Sequence, residues 1–458
     1  MNKRIKRILI LIFAALFFLA VPATILYCQG YRFDFGNKKI VKTGAFFFQA
    51  EPKSCEVYLD GKLIKKTDFL SGSVFIKNLL PKEYTIKIEK EGYFSWEKKL
   101  GTEEEMVTEA KNIILFSKNS GFSVFLSDIN DYFFSPDQKK VILKKIEEPD
   151  WKLDIFDLKK NSQEIFLGEK DLSKKEVVLL DLNWDSYSEK LLLKTKIEEK
   201  IKYFIVDLSG EKKQIFPLEN NDIAEISFNP DNFQEIFFIK NSNLYKFNFV
   251  ENKILEETLK NLLTYRISNG NIFWLSQDGF LNRSDFSGKR LETLNATPFP
   301  VKENLEYTIE VFPSVVFLKE DEDLYQFNSS LKSFEKFCES VKNLKLSPDS
   351  KELVIANNYE IWIIFLADIS EQPQRKTGQK IFLTRFSQKI DEIFWLNPNY
   401  LIFNTDEKIK IAEADDRNGI NIVELGEFQN PKIFWNQTYG KLYLLSQEKL
   451  FISGNLLP

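Results

Sequence analysis

The 458 residues carry 63 Lys and Arg against 67 Asp and Glu, and 43% of them are hydrophobic. That balance describes a globular chain of roughly two to four domains. Acids and bases are interspersed, as in KKIEE (144–148) and KIEEKIK (196–202), so no basic stripe is offered to nucleic acid. No histidine is present, which removes Ser-His-Asp and Cys-His catalysis, His-ligated zinc and imidazole pH switching together.

The chain opens with a basic tail over 1–7 (Lys3, Arg4, Lys6, Arg7), followed by an uncharged stretch from Ile8 to Tyr31. A bilayer core needs about 20 apolar residues, so a transmembrane helix is expected over 8–30, with Tyr27 and Tyr31 at the interface. The apolar run exceeds the roughly 7–15 residues of a signal-peptide core, although Val21-Pro22-Ala23 would serve as a cleavage site. Tyr27 is too bulky to precede a lipidated Cys28. The positive-inside rule puts the N-terminus in the cytoplasm and the bulk of the chain outside the cell membrane.

Residues 44–100 alternate as short strands: GAFFFQAEP, EVYLDGKLI, GSVFIKNL and EYTIKIEKEGYFSWEKKL. Asp60-Gly61 is a two-residue hairpin signal, because a type I′ turn needs φ > 0 at both central positions. The segment resembles a PEGA domain through Pro52, Val57, Leu59, Asp60, Gly61, Leu79, Pro81, Tyr84, Ile86, Ile88, Gly92 and Tyr93. It departs from that pattern at Ser54-Cys55 and at Asp68. The resemblance implies a small β-sandwich, used in bacterial envelope proteins as a binding or spacer module and not as an enzyme. The acidic, aperiodic 101–112 reads as a linker.

From 113 to 458 a strand–turn–strand unit recurs: FFSPDQKKVIL (133–143), SFNPDNFQEIFFI (227–239) and KLSPDSKELVIA (345–356). Turn anchors fall at Ser135, Asp185, Asn229, Ser268, Pro313, Ser347, Asn397 and Asn436, at intervals of 34 to 50 residues. A repeat of that length made only of short strands predicts a β-propeller of eight four-stranded blades, or seven if the short unit around Pro313, which interrupts a strand, is not one. The SPD turns give a fold-level resemblance to TolB-like and WD-type propellers. The last unit lacks a fourth strand, and NIILF (112–116) or SVFLSD (123–128) is expected to supply it from the N-terminal side. The fold class is therefore all-β behind one helix.

No GxSxG, GxxxxGK or post-strand GxGxxG occurs, and the three cysteines (Cys28, Cys55, Cys338) form neither a CxxC nor a disulfide framework. Cys55 and Cys338 read as buried small hydrophobes. SQDGF (276–280) lacks the spacing of a sialidase-type box. EADDRNGIN (413–421) is the densest oxygen cluster, but its spacing is not that of a calcium loop, and Asp, Asn and Gly are turn formers in any case. DEDLY (321–325) reads as a solvated strand start. Trp274, Trp395 and Trp435 lie in apolar runs and are expected in the core. No catalytic, cofactor-binding or metal residue is assigned. The expectation is a non-enzymatic, membrane-anchored binding or scaffold protein whose partner is a protein or cell-wall polymer. The alternative is a polysaccharide-active propeller enzyme using a carboxylate pair.

Overall fold

The computed structural model describes residues 3–210, 212–218 and 223–458. Helix α1 (Lys3–Cys28) takes in the described part of the basic tail and ends two residues before Gly30, whose φ of +89° turns the chain. Its segment Lys6–Cys28 is long and apolar enough to cross a membrane, a property shared with signal sequences. Tyr31, expected at the helix end, instead begins a hairpin of Tyr31–Asp34 and Lys39–Lys42.

Residues 44–114 form two facing sheets. Gly44–Glu51 sits between Ser73–Leu79 and Val107–Ile114, and the second sheet runs Lys62–Lys66, Glu56–Leu59, Glu83–Glu89, Trp96–Gly101. Between them lies one core containing Phe46, Phe48, Val57, Ile86, Ile88 and Trp96. Asp60 and Gly61 take φ of 49° and 77°, as the two-residue hairpin requires. One expectation needs correcting: most of the 101–112 linker is strand. Val107–Ile114 pairs in parallel with Gly44–Glu51 and buries Ala110 and Ile113. It is an edge strand with only two inward apolar residues, so its alternation is too weak to stand out against three glutamates.

Among the described residues eight four-stranded antiparallel sheets follow, spanning 131–168, 178–218, 224–259, 262–293, 307–338, 341–385, 390–427 and 432–452. Each is an open meander in chain order, except that the last takes its fourth strand from Ser123–Ser127, which pairs with Lys449–Ile452. NIILF, the other candidate, belongs mostly to the sandwich. Pro313 lies in the turn between Tyr307–Phe312 and Val315–Glu320 and does not interrupt a strand, so the short unit is a complete sheet.

The second strand of most sheets is buried on both faces, as in Val141-Ile142-Leu143, Ile236-Phe237-Phe238 and Leu401-Ile402-Phe403. Sheets stacked face to face bury both sides of a strand, which then reads as a continuous apolar run. Each such Ile, Leu or Phe contributes about 1.5–3 kcal/mol. At four of the sheet-to-sheet contacts the first strands are linked by one device, an aromatic N–H or O–H donated to a backbone carbonyl of the neighbouring sheet's first strand. Trp184 Nε1 donates to Phe133 O (3.1 Å), Tyr265 Oη to Glu225 O (2.7 Å) and Trp395 Nε1 to Lys345 O (2.9 Å). Tyr132 Oη does the same to Lys432 O (3.1 Å), so the first sheet contacts the last through the device seen at those three pairs, with Phe134 stacked on Phe434 at 4.1 Å. Such radial stacking is that of a β-propeller. Trp274, Trp395 and Trp435 are buried, whereas Trp184 and Trp362 are half-buried. Cys55 is buried, but Cys338 is only half-buried, in the outer strand Ser333–Cys338.

Candidate functional site: a buried ionic junction

The third-to-fourth-strand loops of the sixth and seventh sheets, 366–379 and 414–421, are longer than their counterparts. Both reach the sandwich. The oxygen-rich segment 413–421, which on sequence alone is a candidate for calcium or for a plain turn, forms the centre of this contact.

Lys98, on the sandwich strand Trp96–Gly101, is 1% exposed at its side chain and lies 2.7 Å from Glu413 Oε1 and 3.4 Å from Asp415 Oδ1. Its Nζ also donates to Asp415 O (2.6 Å). Glu413 Oε1 further accepts the backbone and side-chain amides of Asn421, while Oε2 accepts Trp96 Nε1 at 2.7 Å. Arg417 forks onto Asp415 through Nε and Nη2 and donates Nη1 to Glu109 O (3.0 Å) of the sandwich. Arg375 pairs with Asp416 and so joins the two loops. Gln372 completes the seam by accepting Glu109 N and donating to Val107 O.

Burial alone would raise the Asp415 carboxyl, but Arg417 and Lys98 outweigh it and hold the group below the usual aspartate range. Its contribution is therefore present above the unfolded value and is lost as pH falls through the lowered folded one. Beside the charges, Tyr400 Oη accepts Ile114 N (2.9 Å), and its ring meets Phe116 edge-on at 5.2 Å. Burial pushes that phenol well up. A pocket of about 60 Å³ remains between Trp96, Asn112, Gln372, Tyr400 and Arg417.

The chemistry of this arrangement is positional. Glu413 spends its acceptor capacity on Lys98, Trp96 and Asn421, and Asp415 spends its own on Arg417 and Lys98. Among the described residues no group of three His, Cys, Asp or Glu could hold a metal. Acids on first strands are also engaged. Glu225 accepts Thr264 Oγ1 and Tyr265 N, Glu392 accepts Ile433 N (2.6 Å), Asp131 pairs with Lys432, and Glu310 pairs with Arg266 at 3.3 Å. SQDGF is the turn after Asn271–Ser276, held by Ser276 Oγ, and DEDLY leads into the strand Asp323–Asn328. No sequence signal identified the junction, because Trp96 and Glu413 are 317 residues apart.

No protein-family model matches the chain, and no curated protein matches it. Among solved structures it is similar to the Dos1 propeller, at 13% identity and a TM-score of 0.46, over 74% of this chain and 94% of that one. It is also similar to the computationally designed Ika8 protein (9%, 0.45, 74% and 99%) and to the Cps50 (Swd1) β-propeller domain of Myceliophteria thermophila (13%, 0.40, 72% and 98%). The propeller character stands on the chain's own sheet order and inter-sheet links, and not on these likenesses.

Proposed function

We propose that this is a non-enzymatic, single-pass bacterial envelope protein whose PEGA-like sandwich holds an eight-bladed propeller out from the membrane to bind a protein or cell-wall polymer. The N-terminus lies in the cytoplasm and α1 is retained as the span. The observation that carries this reading is the buried junction. A domain welded by Lys98, Glu413, Asp415 and Arg417 is held at fixed orientation, which suits presentation of a surface.

The welded side is defined by topology. In an antiparallel meander the first-to-second and third-to-fourth turns lie at one end of the sheet and the second-to-third turns at the other. The sandwich takes the first end, through 366–379, 414–421 and Asn399, leaving the opposite end for a partner. That end carries Glu148 and Asp406-Glu407 exposed in its turns, together with Glu198, Glu199 and Glu322, which pair with Lys175, Lys196 and Lys342, a mixed-charge surface of the kind that fixes register with a protein partner.

The test is a Lys65→Cys variant in a Cys28→Ser, Cys338→Ser background, since Lys65 lies on the exposed edge strand Lys62–Lys66. A membrane-impermeant maleimide should label it in intact cells. Labelling only after lysis would put both β domains in the cytoplasm and sink the envelope reading.

A further inference from the structure

The hairpin between α1 and the sandwich exposes apolar side chains that the protein itself does not cover. Phe33 pairs with Ile40 across the two strands, so both project from one face. Phe35, at the tip, meets Phe33 edge-on at 5.0 Å. Their exposures are 47%, 59% and 83%. A lone two-stranded hairpin is marginal in water, and aromatic residues at its tip have no folding role there. The tip is also basic: Lys38 and Lys39 are exposed, whereas its one acid, Asp34, is engaged by Gly36 N and by the backbone and side chain of Asn37.

The hairpin's place is fixed at both ends. Arg32 stacks 3.5 Å above the Tyr27 ring and donates Nη1 to Tyr27 O, so the first strand is tied to the last turn of α1. Thr43 donates its N–H and Oγ1 to Gly30 O at 3.0 Å, closing the base of the hairpin against the helix end. Only Gln29 and Gly30 separate helix from strand, a reach of at most about 7 Å. On the sandwich side Lys42 pairs with Glu105, within the run Glu103-Glu104-Glu105, which therefore lies at the base of the hairpin and not at its tip.

We infer that the 31–42 hairpin lies in the bilayer interface, with Phe33, Phe35 and Ile40 among the upper acyl chains and Lys38 and Lys39 at anionic headgroups. This rests on the reading of α1 as a retained span. Two features commit the occupant to lipid: direct continuity with the spanning helix, and aromatic residues flanked by lysines, the composition that partitions at headgroup depth. The hairpin then acts as a second, shallow anchor that sets the angle at which the sandwich leaves the membrane.

The test uses the full chain reconstituted in phosphatidylcholine–phosphatidylglycerol vesicles, with phosphatidylcholine brominated high on its acyl chains to report position 35 and, in a second set, near the chain ends to report position 17, the midpoint of the apolar helix. An interfacial apolar face reaches roughly 5–10 Å into the bilayer, within range of the shallower bromines. Phe35→Trp and, separately, Phe17→Trp are compared with the parent chain, whose seven tryptophans all lie beyond residue 95. The proposal expects the emission added by each variant to fall by about half in its own brominated set relative to unbrominated vesicles, since each site lies within quenching reach of that set's bromines. Quenching at 17 without quenching at 35 overturns the hairpin proposal and leaves the span intact. Quenching at neither position overturns both.

Discussion

The two joints that flank the sandwich are both built around a lysine–glutamate pair, and they are opposites. On the side of helix α1 Lys42 meets Glu105 with side chains 31% and 66% exposed. On the propeller side Lys98 meets Glu413 with side chains 1% and 5% exposed. Water can replace the first pair at little cost, because exposed ion pairs are screened and exchange readily. The second has no such substitute: each buried charge depends on the other for its solvation. The same pair of residue types thus makes a yielding contact at one end of a domain and a weld at the other, and desolvation decides which.

Four changes would break or sharpen that contrast. The largest effect is expected from deleting 449–458, which strips Ser123–Ser127 of its partner strand and opens the last sheet. The propeller should lose its cooperative melting transition; an unchanged transition in calorimetry would show that this strand exchange does not hold the sheets together. Next is Lys98→Met, which leaves Glu413 buried without a cation and Asp415 with Arg417 alone, and should cost about 3–5 kcal/mol in denaturant unfolding. Glu413→Gln added to it should restore part of that loss, and strict additivity would mean the pair is not coupled.

Glu352→Gln should act in the opposite direction and only at higher pH. Burial, then the nearby Asp349 charge, lift the Glu352 carboxyl to about 7, against the field of Arg375 from the docking loop. Its Oε2 has no hydrogen-bond partner among the described residues. The folded state binds that proton more tightly than the unfolded one, so wild-type stability falls as pH rises from the ordinary glutamate range through about 7. At pH ~8 the amide variant should be the more stable, by at most about 3 kcal/mol, with no difference at pH ~4. A difference that does not vary with pH would assign the effect to packing. The smallest effect is expected at the yielding joint, where Lys42→Gln should leave the melting temperature unchanged. A drop comparable to that of Lys98→Met would erase the distinction between the joints.

Much of the fold can be read locally. Ser135, Asn229 and Ser347 announce first-to-second-strand turns because a hydroxyl or amide side chain bonds the backbone within its own turn. Ser135 Oγ, for instance, donates to Lys140 O at 3.0 Å. Asp60-Gly61 announces the sandwich hairpin by a different route, its two positive φ values. The junction is illegible for the converse reason. EADDRNGIN has the composition of any polar loop, and its partners Trp96, Lys98 and Glu109 stand some three hundred residues upstream. Val107–Ile114 was hidden because its parallel partner, not its own alternation, makes it a strand.

The pairing of Ser123–Ser127 with Lys449–Ile452 also bears on how the chain is made. Synthesis delivers the first of these strands some three hundred residues before the second. Whatever order the intervening sheets fold in, the early strand must wait unpaired until the late one emerges. The interval between them exposes a row of free backbone amides to whatever lies nearby. A nascent chain of this design is most open to mispairing just before Lys449–Ile452 appears, so slowing elongation through the sheets that precede that strand should harm its yield more than slowing it through the sandwich.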